Sequence, residues 1–161
     1  MSNELKLKFK HNELVDIWST FCDQHRELYE LTTLEYSALL ESRIEDLEDI
    51  ISRKEVIISQ ISTLEDTRQE IVESMSELTS ENIEKLTDLF PIIKKYNLDP
   101  ANTIEKYNLL LLDIIDKIQD QNKKNQIFLN RAILSLQDLR NQFQGKKNFK
   151  TYNNKGNTLS P

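Results

Sequence analysis

Between residues 43 and 78 an isoleucine or leucine returns every seventh position, at Ile50, Ile57, Leu64, Ile71 and Leu78. A second row, Ile44, Ile51, Ile58 and Val72, and a third, Leu47, Ile61 and Met75, lie beside it. Three adjacent rows make an apolar stripe wider than the seam of a simple zipper, which predicts a helix over about 43–78 with more than one neighbour. Upstream, Leu14, Trp18, Phe21, His25, Leu28, Thr32, Glu35 and Leu39 keep a 4-3-4-3 spacing that holds one helix face on a partner, and Leu31, Leu34 and Ala38 widen it. With Asn12 as N-cap, this first helix is expected over about 12–42. Ser42 and Glu45 form a capping-box pattern, from which the chain restarts or bends into the second helix.

The periodicity lapses over 79–102. Thr79, Ser80 and Asn82 mark a break, and short helical pieces are expected around 83–89 and 92–96. Pro91 and the Asn97-Leu98-Asp99-Pro100 turn interrupt them, so this stretch reads as the irregular connection that reverses the chain. A third helix is expected over about 103–144, with seam residues Leu111, Ile115, Ile118, Asn122, Asn125, Leu129, Ala132, Leu136, Leu139 and Phe143, a rod of roughly 60 Å ending at Gly145. Residues 146–161 are rich in Lys and Asn, and their apolar content is too low to order them alone. The plan is an all-α, elongated antiparallel three-helix coiled-coil bundle over 1–145 with a flexible basic tail over 146–161.

Composition supports the helical reading and removes other classes. The chain of 161 residues has two glycines and three prolines, against the roughly eleven and eight of average usage. Sheets spend Gly, Pro and Asn on every turn, and phosphate-cradling loops need clustered glycines, so most β folds and nucleotide-binding loops are excluded. The net charge of −6 is unevenly spread: residues 146–161 carry four Lys and no acid, residues 1–11 are +2, and residues 12–145 are −12. An acidic body argues against nucleic acid, whose binding rests on clustered Lys and Arg. The single Cys22 makes no internal disulfide. The Leu5-Lys6-Leu7-Lys8-Phe9-Lys10 alternation is not a secretory signal, and the run 109–112 is too short to span a bilayer, so a cytoplasmic protein without membrane insertion is expected.

Catalytic chemistry finds little to work with. Cys22-x-x-His25 is half of a zinc site without a second pair, and a semi-buried helix face explains it better. No Glu-x-x-His repeat, nucleophile elbow or Gly-rich loop is present, so no enzyme, cofactor or metal is expected. Acidic groups such as Glu45-Asp46-Glu48-Asp49 read as a solvated face. The more informative anomalies are polar residues in the seams. Asn122 and Asn125 either fix coiled-coil register or mark a face kept for a partner helix. Lys54, Glu65 and Arg68 interrupt helix two and either snorkel or pair across the seam. Phe149 and Tyr152 either fold back on the bundle or form a short contact motif.

Leu28…Leu31…Glu35-x2-Ala38-Leu39-Leu40, followed by Ile44-x2-Leu47…Lys54-x2-Ile57-Ile58…Leu64…Arg68, resembles the front half of the FlgN-type flagellar chaperones. Gln121-Asn122-x2-Asn125, the apolar helix 129–143, Gly145 and Thr151-Tyr152-Asn153-Asn154-Lys155-Gly156 resemble the second half. The similarity covers roughly 28–68 and 119–156, while 79–102 departs from the pattern as an inserted subdomain would. The resemblance implies a non-enzymatic cytoplasmic chaperone of flagellar type III export. Such a protein binds hook-associated (hook–filament junction) proteins, prevents their premature assembly and delivers them to the flagellar export gate. It also implies partner binding through Asn122, Asn125, Leu129, Leu136, Leu139 and Phe143, with Tyr152 contacting the export machinery. The alternative from pattern alone is a structural coiled-coil adaptor or homodimeric scaffold.

Overall fold

The computed structural model describes residues 2–155, with side chains described through residue 144. The described residues are helical with no strand, in the order α1 (Asn3–Leu40), α2 (Ile44–Thr79), α3 (Leu86–Lys95) and α4 (Thr103–Lys155). The chain divides into two compact units, 1–121 and 122–161, and α4 contributes to both. The all-α expectation holds, with four helices where three were expected.

α1 starts nine residues before Asn12. Ser2 is its N-cap, with Oγ accepting from Leu5 N at 3.3 Å. The alternating Leu/Lys stretch is helical because Leu7, His11 and Leu14 continue the 4-3 seam upstream, and all three are buried. The connection contains α3 as one helix, with Pro91 inside it. Proline there removes one backbone donor, and burial of Leu89, Ile92 and Ile93 offsets the loss. Asp88 secures the start of α3, its Oδ2 accepting from Lys85 N at 2.9 Å and Glu84 N at 3.1 Å. These two bonds hold its carboxyl below the usual range. α4 does not stop at Gly145 but continues to Lys155, through the first part of the expected tail. A glycine permits a helix stop without imposing one; its cost inside a helix is about 1 kcal/mol. Residues 156–161 lie outside the described residues.

The glycine-poor chain makes its turns with other residues. Ser42, Ser80, Asn97 and Asn102 adopt positive φ of 49–56°. After α1, Arg43 N donates to Ala38 O at 3.0 Å and Ser42 N to Leu39 O at 3.3 Å, which is a Schellman stop with serine in the left-handed position. After α3, Leu98 N donates to Ile93 O at 3.0 Å and Asn97 N to Lys94 O at 3.3 Å, the same device with asparagine. The short link 41–43 makes α1 and α2 a helical hairpin, and these helices pack along their length.

The main core of the first unit draws Leu7, Leu14, Trp18 and Phe21 from α1, Val72 and Met75 from α2, and Leu89 and Ile92 from α3. Ile104, Leu111, Ile114 and Ile118 of α4 complete it. A smaller cluster of Leu31, Ala38, Ile50 and Ile57 lies toward the α1–α2 turn. The second row of α2 divides accordingly: Val72 is buried in the main core, whereas Ile44, Ile51 and Ile58 are exposed. The wide stripe therefore finds its extra neighbours at one end of α2 only.

Candidate partner-binding surface

Polar groups in the first unit fasten α4 to α1. Asp99 precedes α4 and accepts from Thr103 N and Ile104 N, each at 2.9 Å, satisfying donors that the helix start leaves free. Burial raises the Asp99 pKa, but the Ile104 and Thr103 N–H groups and nearby His11 outweigh it, so the carboxyl sits below its usual range. His11 is almost fully buried, with Nε2 3.6 Å from Asp99 Oδ2, beyond direct hydrogen-bonding distance. Burial depresses its pKa, and attraction to Asp99 only partly restores it. Trp18 Nε1 donates to Asn108 Oδ1 at 3.2 Å, and Cys22 Sγ donates to the Tyr107 carbonyl at 3.3 Å.

The residues considered for metal chemistry have structural partners. Burial, then the neighbouring Asp23, raises the Cys22 pKa, which disfavours a reactive thiolate. His25 Nδ1 lies 2.7 Å from the Phe21 carbonyl, and its ring packs edge-on against Phe21. Among the described residues no three His, Cys, Asp or Glu side chains cluster as a metal site. In α2, Lys54 Nζ reaches Glu35 Oε2 of α1 at 3.2 Å, a pair across the seam, while Arg68 pairs with Glu65 one turn away at 2.6 Å.

The second unit presents a different surface. At about 100° per residue, Asn122, Asn125, Leu129, Ile133, Leu136, Leu139 and Phe143 fall within an arc of roughly 120° on α4. Along that arc Asn125 is 5% exposed, Leu136 65% and Phe143 71%. Asn122, Leu129, Ile133 and Leu139 are also exposed. The two asparagines thus differ, one buried and one in solvent. Ile127, Ile133 and Leu134 are large exposed apolar residues that strict seam counting left out. Ile133 was findable, since it stands four residues from Leu129 and three from Leu136. Tyr152 belongs to α4 by its backbone, and its side chain lies outside the described residues.

Large exposed apolar patches of this kind are the surfaces on which chains commonly meet. The model of the family described as FlgN protein matches residues 10–160. The chain belongs to the FlgN family. The match takes in α1 from residue 10 onward and spans 79–102, so the stretch containing α3 lies within the family-matched region. This FlgN-family chain is a flagellar export chaperone, a class that is not enzymatic. No curated protein and no solved structure matches it. No helix among the described residues is long and apolar enough to cross a membrane.

Proposed function

We propose that this chaperone binds hook–filament junction proteins in the cytoplasm through the apolar arc of α4, prevents their premature assembly and delivers them to the export gate. The observation carrying this reading is the exposure of Leu129, Leu136, Leu139 and Phe143 on one helical arc. A partner helix with apolar residues at i, i+3, i+4 and i+7 would bury that arc and remove its own assembly surface from solution. Asn122, exposed within the arc, adds a polar contact that sets register, and the buried Asn125 lies near the same end of it. Polar interruption also keeps binding reversible, as release at the gate requires. Tyr152, among Lys146, Lys147, Lys150 and Lys155, is the residue proposed to meet the export machinery.

The test is co-purification of a hook-associated protein with the full chain and with a chain lacking residues 122–161. Loss of the complex on truncation supports the assignment. A stoichiometric complex that survives truncation unchanged removes it.

A further inference from the structure

The alternating stretch at the start of α1 has two sides. Leu7, His11 and Leu14 go into the core, whereas Leu5 is 45% and Phe9 54% exposed. At about 100° per residue, Leu5 and Phe9 share a ridge on the side of α1 roughly opposite that buried row. Lys8 flanks the ridge on one side and Lys6 on the other, and both are exposed. Lys10 pairs with Glu13 at 3.2 Å, but among the described residues neither Lys6 nor Lys8 is in an ion pair. The family model begins to match at residue 10, so the ridge lies outside the matched stretch.

The same side of α1 changes character further along. It continues through Asn12, Asp16, Asp23 and Glu27, all exposed, so two apolar residues between lysines give way to carboxylates. Residues 1–11 are +2 and residues 12–145 are −12. An anionic surface would therefore attract the first turns of α1 and repel the rest. The ridge is convex and offers one i, i+4 apolar pair, short of the i, i+3, i+4 and i+7 anchors by which an amphipathic helix grips a groove. A bilayer asks for no such register. Leucine and phenylalanine enter its interface while lysine stems lie along the apolar layer and their ammonium groups stay among the phosphates. Ser2 caps this helix and Leu7 and Leu14 pack its inner side, so the docking segment is already ordered before binding.

We propose that Leu5, Lys6, Lys8 and Phe9 dock the chain on the surface of an anionic phospholipid bilayer, with the acidic length of α1 inclined away from it. The contact is made at the headgroups and spans nothing. None of its residues belongs to the arm of α4, residues 122–155, that is proposed to hold cargo, so the two contacts draw on separate residues.

Vesicle flotation tests the docking. The full chain should float with vesicles of equal parts phosphatidylglycerol and phosphatidylcholine, should not float with phosphatidylcholine alone, and should detach as salt rises. Lys6→Glu/Lys8→Glu and Leu5→Ser/Phe9→Ser should each lower the partition coefficient roughly tenfold or more. All four residues are exposed, so circular dichroism of both variants should match the parent. Orientation is read in a Cys22→Ala background. A polarity-sensitive fluorophore on Asn12→Cys should shift to the blue on anionic vesicles, and the same fluorophore on Glu27→Cys should not.

A chain that stays off anionic vesicles overturns the proposal, and so does flotation indifferent to both α1 variants. Flotation abolished only by Lys146→Gln/Lys147→Gln/Lys150→Gln overturns it in favour of the C-terminal lysines, and equal shifts at both fluorophores overturn the inclined arrangement. If vesicles are ignored and Lys6→Glu/Lys8→Glu instead loses the hook-associated protein, the ridge is a protein surface and the lipid assignment falls. The cargo assignment is tested separately, because substitutions at Leu136 and Leu139 should release cargo and leave flotation unchanged.

Discussion

Replacing Leu136 and Leu139 by alanine tests the proposed cargo surface at small structural risk. Leu136 is 65% exposed and Leu139 63%, so about two thirds of each side chain remains to be buried by a partner. Complete burial of a leucine contributes about 1.5–3 kcal/mol, and two thirds of that is about 1–2 kcal/mol per site. The pair should cost about 2–4 kcal/mol of binding, which raises Kd roughly 30- to 1,000-fold. The fold should change little, because alanine is the strongest helix former and neither leucine packs in a core cluster. The assay is isothermal titration of a hook-associated protein into the native chain and the double variant at one salt concentration, with far-ultraviolet circular dichroism as a folding control. A Kd within twofold of native, with helix content retained, would refute the assignment of these leucines.

Three further outcomes concern stability. Ser42 stops α1 at φ 53°, so Ser42→Gly should relieve left-handed strain and stabilise the chain by about 0.4–1 kcal/mol in urea denaturation; no gain would mean serine is unstrained there. Folding depresses the His11 pKa, so the unfolded chain takes up a proton first as pH falls through about 6.5. Stability should be full above that pH and decline below it, with a second loss below about 4 as Asp99, also depressed, protonates. Denaturation midpoints from pH 7.5 to 5 should fall in the native chain and flatten in His11→Leu, and an unchanged slope would remove His11 as the source. Asn108→Ala should lower stability by about 1 kcal/mol by leaving the Trp18 indole N–H without its acceptor, and a thermal midpoint equal to native would show the bond to be dispensable.

Helical class and seams were legible because buried rows follow the 3-4 period. Trp18, Phe21, Ile50, Ile57, Ile71 and Met75 all stand where the spacing places them in the core. The ends were harder to read. Ser42, Ser80, Asn97 and Asn102 take left-handed positions usually given to glycine, so a shortage of glycine does not locate the turns. Pro91 reads as a break, yet tertiary burial of α3 outweighs one missing hydrogen bond. Exposure of Ile44, Ile51 and Ile58 could not be read from spacing, since an apolar row has the same pattern whether or not a neighbour covers it. The asparagine pair illustrates the same limit: Asn122 and Asn125 share an arc and differ in burial.

That limit bears on how the proposed chaperone would work. A chain leaving six large apolar residues exposed on the 129–143 segment gives up stabilisation that a self-covering bundle would keep. The first unit can sustain this because its own core is complete, with α3 and the start of α4 closing it and Asp99 capping the junction. The arm therefore need not be buried for the rest to fold, and its apolar face remains for a partner. Its surplus of Lys and Arg keeps arms from pairing with one another, so the face stays selective for acidic helices. Reversing that charge, with Lys123→Glu/Lys124→Glu/Arg131→Glu, should slow association with an acidic partner while leaving apolar contacts in place. The expected signature in stopped-flow binding is a lower association rate with a reduced salt dependence and a largely unchanged dissociation rate. A dissociation rate that rises while association is unaffected would mean that these charges lie inside the contact rather than steering toward it.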